Sequence, residues 1–207
     1  MTYFSDSADA DRHQTQQAIL EATHQILLES GYSGISISRI ADRVGISKSV
    51  IYHYYDNKES LLAELLDVVH RRFLTKIFEQ DDTTPREELE RFLTLFVAAP
   101  SVSCQSEAEL TQLAKTYVEL RTQSISNPDY RSVFTESENR VKRRLTETIE
   151  DGIERGEFKP VNPERTSEHI LTFVAGVLFR QATTDSVDGE QLNGEIHELL
   201  ADRIYLN

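Results

Sequence analysis

The chain has 207 residues, a formal net charge of −13 at pH 7 and a single cysteine. A chain of this length can form one domain or two small ones around a substantial hydrophobic core. No apolar run approaches the roughly 18 residues that a membrane-spanning helix needs, and the polar, acidic beginning lacks the pattern of a signal peptide. As the only cysteine, Cys104 cannot form an intramolecular disulfide, which favours a reducing cytoplasm; a redox-sensing role is the alternative.

The negative charge is unevenly distributed along the chain. Between Arg12 and Lys58 five basic residues stand against four acidic ones, a net charge of +1, which leaves −14 for the remainder. Only six of the 22 basic residues are lysine. An acidic, lysine-poor composition indicates the high-salt cytoplasm of a halophile, and an ordinary acidic mesophile protein is the alternative.

The first helix is predicted from about Arg12 to Ser30, because apolar residues recur there at helical spacing and Gly31 can end the helix. Residues 1–11 carry three aspartates without an apolar pattern, so we expect them to form a weakly ordered arm.

Two short helices are predicted next. Ser36 can cap the first of them, whose apolar face ends at Gly45, and Ser47 can cap the second. Two short helices joined by a tight turn that contains glycine predict a helix-turn-helix, which places its second helix in the major groove of DNA.

The second short helix carries side chains suited to DNA contact. Hydroxyls and a lysine occupy its exposed first turn, where free backbone N–H groups also favour phosphate oxygens. The predicted base-edge contacts are Ser47, Lys48, Ser49 and His53. The predicted phosphate contacts are Ser36, Tyr52 and Lys58. The alternative is that the tyrosines only pack and Lys58 is a solvated charge, and for Tyr55 packing is the preferred interpretation.

Residues about 12–62 resemble the N-terminal domain of the TetR family of one-component transcriptional regulators. The matching pieces are AILEATHQILLESGY at 18–32, SISRIADRVGIS at 36–47 and KSVIYHYYDNKESLL at 48–62. The family's tyrosine, aromatic and lysine hallmarks fall on Tyr52, Tyr55 and Lys58. Tyr55 stands where phenylalanine is usual, and Ser49 and Val50 also depart from the common residues, so the resemblance implies no operator sequence.

The rest of the chain is predicted to be helical, which makes the fold class all-α. Asp56 and Glu59 form a capping-box-like start for a long helix that ends near residue 79, and Thr84 to Glu87 start the next one. Further helices are predicted at 86–99, 107–126, 129–155, 163–183 and 189–205. The predicted domains are a helix-turn-helix DNA-binding domain at 12–56 and a helical ligand-binding and dimerisation domain at 57–207.

The helix at 163–183 is apolar nearly all round, which indicates burial on more than one face. We expect it to pair with the helix at 189–205 and with both helices of a second copy in a four-helix bundle. The stretch GIERGEFKPVNPERTSEHILTFVAGVLFR at 152–180 is similar to the C-terminal half of many TetR-family ligand domains.

A ligand pocket is predicted among the helices from 58 to 183, with the helix at 58–79 as the transmitter to the DNA-binding domain. Its candidate walls are Phe92, Phe96, Tyr117, Phe134 and Phe173, and its candidate polar anchors are Arg121, His169 and Arg180. The effector is expected to be apolar or amphipathic, and an arginine anchor favours an anionic or carbonyl-bearing compound. The alternative is that these aromatics are ordinary core and that His169 is a core or interface histidine.

No catalytic motif is present in the sequence, and the six histidines show no metal-ligand spacing, so we expect no enzyme activity, cofactor or metal. The preferred hypothesis is a homodimeric repressor that binds pseudo-palindromic operator DNA and is released by a small molecule. The alternatives are a ligand-independent DNA-binding protein and a helical small-molecule-binding protein without DNA function. Operator binding and a polar and aromatic cavity in residues 85–180 discriminate among the three.

Overall fold

The computed structural model describes residues 5–78, 83–97, 107–185 and 189–206, and these residues form helices without a β-strand. The helices are α1 (Ser5–Ser30), α2 (Ile37–Val44), α3 (Lys48–Tyr54), α4 (Lys58–Phe78), α5 (Pro85–Val97), α6 (Glu107–Gln123), α7 (Pro128–Glu154), α8 (Pro163–Thr183) and α9 (Gly189–Arg203). The predicted all-α class is confirmed. Among the described residues, no helix is both long enough and apolar enough to cross a membrane.

The chain divides into two compact units, Met1–Val68 and Val69–Asn207, and the division falls within α4. It lies further along the chain than the predicted boundary between residues 56 and 57. The predicted boundary separates a DNA-binding domain from a ligand-binding and dimerisation domain, and it stays a prediction.

The first unit has a core of aliphatic side chains from α1 to α4. Its fully buried members are Ile19, Ile26, Ile40, Ile51, Leu61 and Leu62. The arm expected at residues 1–11 is wrong for residues 5–11, because α1 already begins at Ser5. Acidic residues are favourable near the N-terminus of a helix, so a run rich in aspartate does not exclude one. Residues 1–4 lie outside the described part of the chain.

The ends of α2 and α4 follow from short polar side chains. The Ser36 hydroxyl accepts a hydrogen bond from the Arg39 backbone N–H at 3.2 Å, and Gly45 ends α2 at a φ of 78°, which confirms both predicted caps. The cap predicted for α4 at Asp56 is wrong by one residue. The Asn57 side-chain oxygen accepts from the Ser60 N–H at 2.8 Å, and the Ser60 hydroxyl accepts from the Asn57 N–H at 3.3 Å.

The second unit has a core cluster built mainly from α5, α7, α8 and α9. Its largest fully buried members are Phe92, Phe158, Leu89 and Leu145. Thr84 and Glu87 form the predicted capping box, since the Thr84 N–H donates to the Glu87 carboxylate at 2.8 Å and the Glu87 N–H donates to the Thr84 hydroxyl at 3.2 Å.

The last helix is shorter than predicted. It ends at Arg203, and Tyr205 then forms an isolated antiparallel bridge with Phe158, in the connection between α7 and α8. The two aromatic rings pack with their centroids 5.5 Å apart. The end of the described chain is therefore held against the second unit by backbone hydrogen bonds and by ring packing.

Candidate functional site

The helix α3 has one buried face and one exposed face. Ile51 is fully buried, and Tyr55, directly after the helix, is 4% exposed, which confirms that Tyr55 packs. Burial raises the pKa of the Tyr55 hydroxyl, and the nearby Glu64 carboxylate raises it further. The predicted DNA contacts on this helix, Lys48, Ser49, Tyr52 and His53, are all exposed.

Ser47 differs from its predicted capping role. Its backbone carbonyl accepts from the Val50 N–H at 3.0 Å, but its side chain makes no capping hydrogen bond to the first turn of α3. The Ser47 hydroxyl is exposed, at the same end of the helix as Lys48 and Ser49. These three side chains therefore share the turn that a helix-turn-helix presents to base edges.

Two of the predicted phosphate contacts meet at the start of α2. Lys58 donates to the Ile35 carbonyl oxygen at 3.5 Å, and its ammonium lies 4.1 Å from the centroid of the Tyr32 ring. Ser36, the next residue after Ile35, caps α2. Tyr52, the third, is on α3 and is 54% exposed.

The α2 arginines form an ion-pair network that sequence reasoning missed. Both terminal guanidinium nitrogens of Arg43 donate to the Glu29 carboxylate, at 2.8 and 2.7 Å, and Arg39 lies 3.5 Å from the same carboxylate. The hydrogen bond from Arg43 lowers the pKa of Glu29. Glu29 is one of four acidic residues between Arg12 and Lys58, so the sequence carries no signal that singles out this pair.

A cluster of aromatic and charged side chains lies in the second unit. The Arg121 guanidinium donates to the Tyr117 hydroxyl at 2.9 Å and to the Glu138 carboxylate at 2.6 Å, and it lies 5.4 Å from the centroid of the Phe134 ring. The Tyr117 and Phe134 rings meet edge to face at 5.7 Å. The His70 ring of α4 contacts Phe134 at 5.8 Å. We call these five residues the arginine cluster; its members His70 and Glu138 were not predicted.

The other predicted pocket residues are found elsewhere in the second unit. Phe92 lies in the closed core, with its ring 5.9 Å from that of Phe78. His169 and Phe173 line a groove of about 540 Å³ along α8 and α9. Arg180 is exposed on α8. The side chain of Phe96 lies outside the described residues. The other predicted pocket residues divide among four environments: the arginine cluster, the closed core, the groove and the exposed surface of α8.

The outer face of α8 carries exposed aromatic side chains. Val174 and Val177 are buried in the core, whereas Phe173 and Phe179 are 38% and 56% exposed. Gly176 lies between Phe173 and Phe179 in the sequence, and a Cβ added to it would meet no described atom within 4 Å. The sequence predicts burial of α8 on more than one face. Within a single copy the inner face is buried and the outer face is exposed.

Comparison with known protein families identifies both parts of the chain. Residues 19–65 match the model described as bacterial regulatory proteins of the tetR family. Residues 85–204, more than half of the chain, match the C-terminal domain of BetI-type transcriptional repressors. The chain belongs to the TetR family. As a TetR-family member it is a DNA-binding transcriptional regulator of the repressor type, which acts as a homodimer on operator DNA and binds a small-molecule effector.

Individual relatives agree with this assignment. The HTH-type transcriptional regulator UidR of Escherichia coli K12 is 23% identical over 174 residues, which cover 84% of each chain. A TetR transcription regulator from Haloarcula marismortui is 27% identical, with a TM-score of 0.80 over 93% of this chain and 99% of its own. A regulator from Saccharomonospora viridis, solved in complex with choline, is 19% identical with a TM-score of 0.77, over 94% of this chain and 100% of its own; this likeness shows the fold alone.

Proposed function

We propose that this TetR-family chain is a cytoplasmic repressor without catalytic activity, in which α3 reads the base edges of an operator and a ligand at the arginine cluster releases it. The observation that carries the first part is that α3 is buried on one face and exposed on the other. Ile51 anchors the helix in the core, while Lys48, Ser49 and His53 are exposed. A helix held this way can enter the major groove with its first turn leading.

The proposed contacts fall into two chemical classes. Ser47, Lys48, Ser49 and His53 approach base edges, where a lost contact changes which sequences bind. Ser36, Tyr52 and Lys58 approach phosphates, which position the protein without carrying sequence information. The gathering of Ser36 and Lys58 at the start of α2 supports the second class.

Substitutions of the two classes are expected to have different effects. Lys48→Ala and His53→Ala should each change the preference at individual base pairs by about 1–3 kcal/mol. Lys58→Ala should weaken binding to all sequences alike and reduce the slope of log affinity against log salt by about 1. The measurement selects an operator from random DNA and then titrates single-base variants of it.

Lys115→Ala is the matched control, because it removes an exposed lysine from the second unit. It should leave both sequence preference and affinity unchanged. If neither Lys48→Ala nor His53→Ala alters the ranking of operator variants, the assignment of α3 is wrong.

The arginine cluster is our proposed effector site, and we propose an amphipathic organic cation as its ligand. Two aromatic rings and a carboxylate bind organic cations, with cation–π attraction of about 0.5–2 kcal/mol. A cationic effector would compete for them with the Arg121 guanidinium, which lies 5.8 Å from the Tyr117 ring centroid and 5.4 Å from that of Phe134. The sequence predicts that an arginine anchor favours an anionic or carbonyl-bearing compound, but the charge of Arg121 is balanced by Glu138 at 2.6 Å. The relative from Saccharomonospora viridis is described in complex with choline, itself a quaternary ammonium compound.

A thermal-shift series tests the charge of the effector. Choline and a long-chain alkyl trimethylammonium salt should raise the melting temperature, the longer compound more, whereas an alkanoate of equal chain length should not. Glu138→Gln should weaken binding of the cation by about tenfold, which corresponds to about 1.4 kcal/mol of binding free energy. Glu136→Gln is the matched control on the same helix, since Glu136 is 71% exposed in an ion pair with Arg140.

The outcomes separate the ligand class from the site. If the alkanoate binds and Arg121→Gln abolishes its effect, the site stands and its ligand is an anion. If both Glu138→Gln and Arg121→Gln leave every thermal shift unchanged, the arginine cluster is not the effector site.

Release of DNA requires that the effector favour one conformation over another. The helix α4 runs without a break from Lys58, a proposed phosphate contact, to the second unit, where its residue His70 contacts Phe134 of the arginine cluster. We propose α4 as the element that carries the signal. A ligand that binds tightly yet leaves operator affinity unchanged would contradict this coupling.

A further inference from the structure

The two arginines of α2 are partly neutralised by one carboxylate. Arg39 donates from its guanidinium to the Ser30 hydroxyl at 2.9 Å and to the Gly34 carbonyl at 3.3 Å, and Lys58 donates to the Ile35 carbonyl. Lys58 is a proposed phosphate contact, and Arg39 lies close to another, Ser36. Glu29, in the last turn of α1, is within ion-pair distance of Arg39 and forms a two-pronged pair with Arg43.

These ion pairs are exposed, which decides what they can do. The side chains of Arg39, Arg43 and Glu29 are 41%, 30% and 50% accessible to solvent. Exposed pairs add little to folding stability, because water screens them and holding two long side chains together costs entropy. Their charges nevertheless act on other charges within about 10 Å at 0.1 M salt. The main physical consequence of Glu29 is therefore a reduced positive potential around α2.

The first helix of a helix-turn-helix crosses the DNA backbone. Cations on that helix strengthen binding to any sequence, because each phosphate they neutralise releases counterions. A carboxylate that occupies two arginines opposes this gain and also repels the phosphates directly. We propose that Glu29 limits the sequence-independent affinity of the protein for DNA by holding Arg39 and Arg43 away from the phosphates. This inference rests on the proposed placement of α2 and α3 on DNA.

The test replaces the charge and keeps the shape. In the full-length dimer, Glu29→Gln should tighten binding to random-sequence duplex DNA by roughly fivefold to tenfold at about 0.1 M potassium chloride for one added phosphate contact. The slope of log affinity against log salt should steepen by about 0.9, or by about 1.8 if both arginines engage. At about 1 M salt, where the screening length is near 3 Å, the difference from the wild type should largely vanish.

Matched variants make the result decisive. Glu21→Gln removes a carboxylate from an exposed position of the same helix, where the partner is Gln25 rather than an arginine, and it should leave the salt slope near the wild-type value. Adding Arg43→Gln to Glu29→Gln should return the slope toward that of the wild type. The melting temperature of each variant shows whether the packing of α2 in the first unit is preserved.

Three results would overturn the inference. The first is a Glu29→Gln effect on random DNA no larger than that of Glu21→Gln. The second is weaker DNA binding with a lower melting temperature, which would show that Glu29 mainly stabilises the packing of α1 against α2. The third is a steeper slope that persists after Arg43→Gln and Arg39→Gln are added. If Lys48→Ala and Lys58→Ala behave as expected while Glu29→Gln fails, the proposed DNA face stands and only the role of Glu29 is wrong.

Discussion

A chain carrying Phe173→Glu is expected to elute as a monomer and to bind operator DNA at least about a hundredfold more weakly. Phe173 and Phe179 are 38% and 56% exposed on the outer face of α8. A second copy that covers this face removes both rings from water, at about 25 cal/mol per Å² of apolar surface. A carboxylate at position 173 would be buried there without a partner, which opposes association.

The loss of DNA affinity follows from the two-fold symmetry of the complex. A dimer places two reading helices on two half-sites, so the second contact is made at high effective concentration, whereas a monomer has one reading helix. Light scattering gives the oligomeric state, and titration of operator DNA gives the affinity.

Ile125→Glu makes the same chemical change at another exposed apolar position. Ile125 is 77% exposed in the turn between α6 and α7. This variant should remain dimeric and should bind the operator like the wild type. If Phe173→Glu also remains a dimer of wild-type affinity, the outer face of α8 is not the interface between copies.

Phe158→Ala is expected to lower the free energy of unfolding by about 3–5 kcal/mol, the usual cost of removing a buried aromatic ring. Phe158 is 1% exposed, packs against Tyr205 and lies next to Gly152 of α7. A Cβ added at Gly152 would overlap the Phe158 ring. Gly152→Ala should therefore cost about 1–3 kcal/mol, although alanine is the better helix former.

A double-mutant cycle tests whether the overlap is the cause. In the Phe158→Ala background the ring is absent, so Gly152→Ala should cost nothing or should stabilise α7 by about 0.5–1 kcal/mol. Denaturant unfolding followed by circular dichroism gives the free energy of unfolding of the wild type, the two single variants and the double variant. All four are measured at one protein concentration, because the protein is a dimer. An equal cost of Gly152→Ala in both backgrounds would show that the Phe158 ring does not explain it.

The sequence by itself determined the helices and most of their ends, because these depend on residues three or four apart. Ser36 with Gly45, and Thr84 with Glu87, form the predicted caps. The helix-turn-helix was predictable for the same reason, since its spacing and its exposed first turn lie within about twenty residues. The one-residue error at α4 is also local: Asn57 and Asp56 are both good caps, and only the path of the chain after Tyr55 selects between them.

Tertiary structure alone decided what each helix face meets. Phe92, Phe134 and Phe173 each belong to the apolar repeat of their own helix. Nevertheless, Phe92 lies in the closed core, Phe134 in the arginine cluster and Phe173 on the exposed face of α8. Periodicity predicts which residues share a helix face. What covers that face depends on how the helix packs against segments that are distant in the sequence. The ion-pair partners were hidden for the same reason: Glu138 reaches Arg121 from the next helix, and Glu29 reaches Arg43 from the helix before, so neither pair leaves a local pattern.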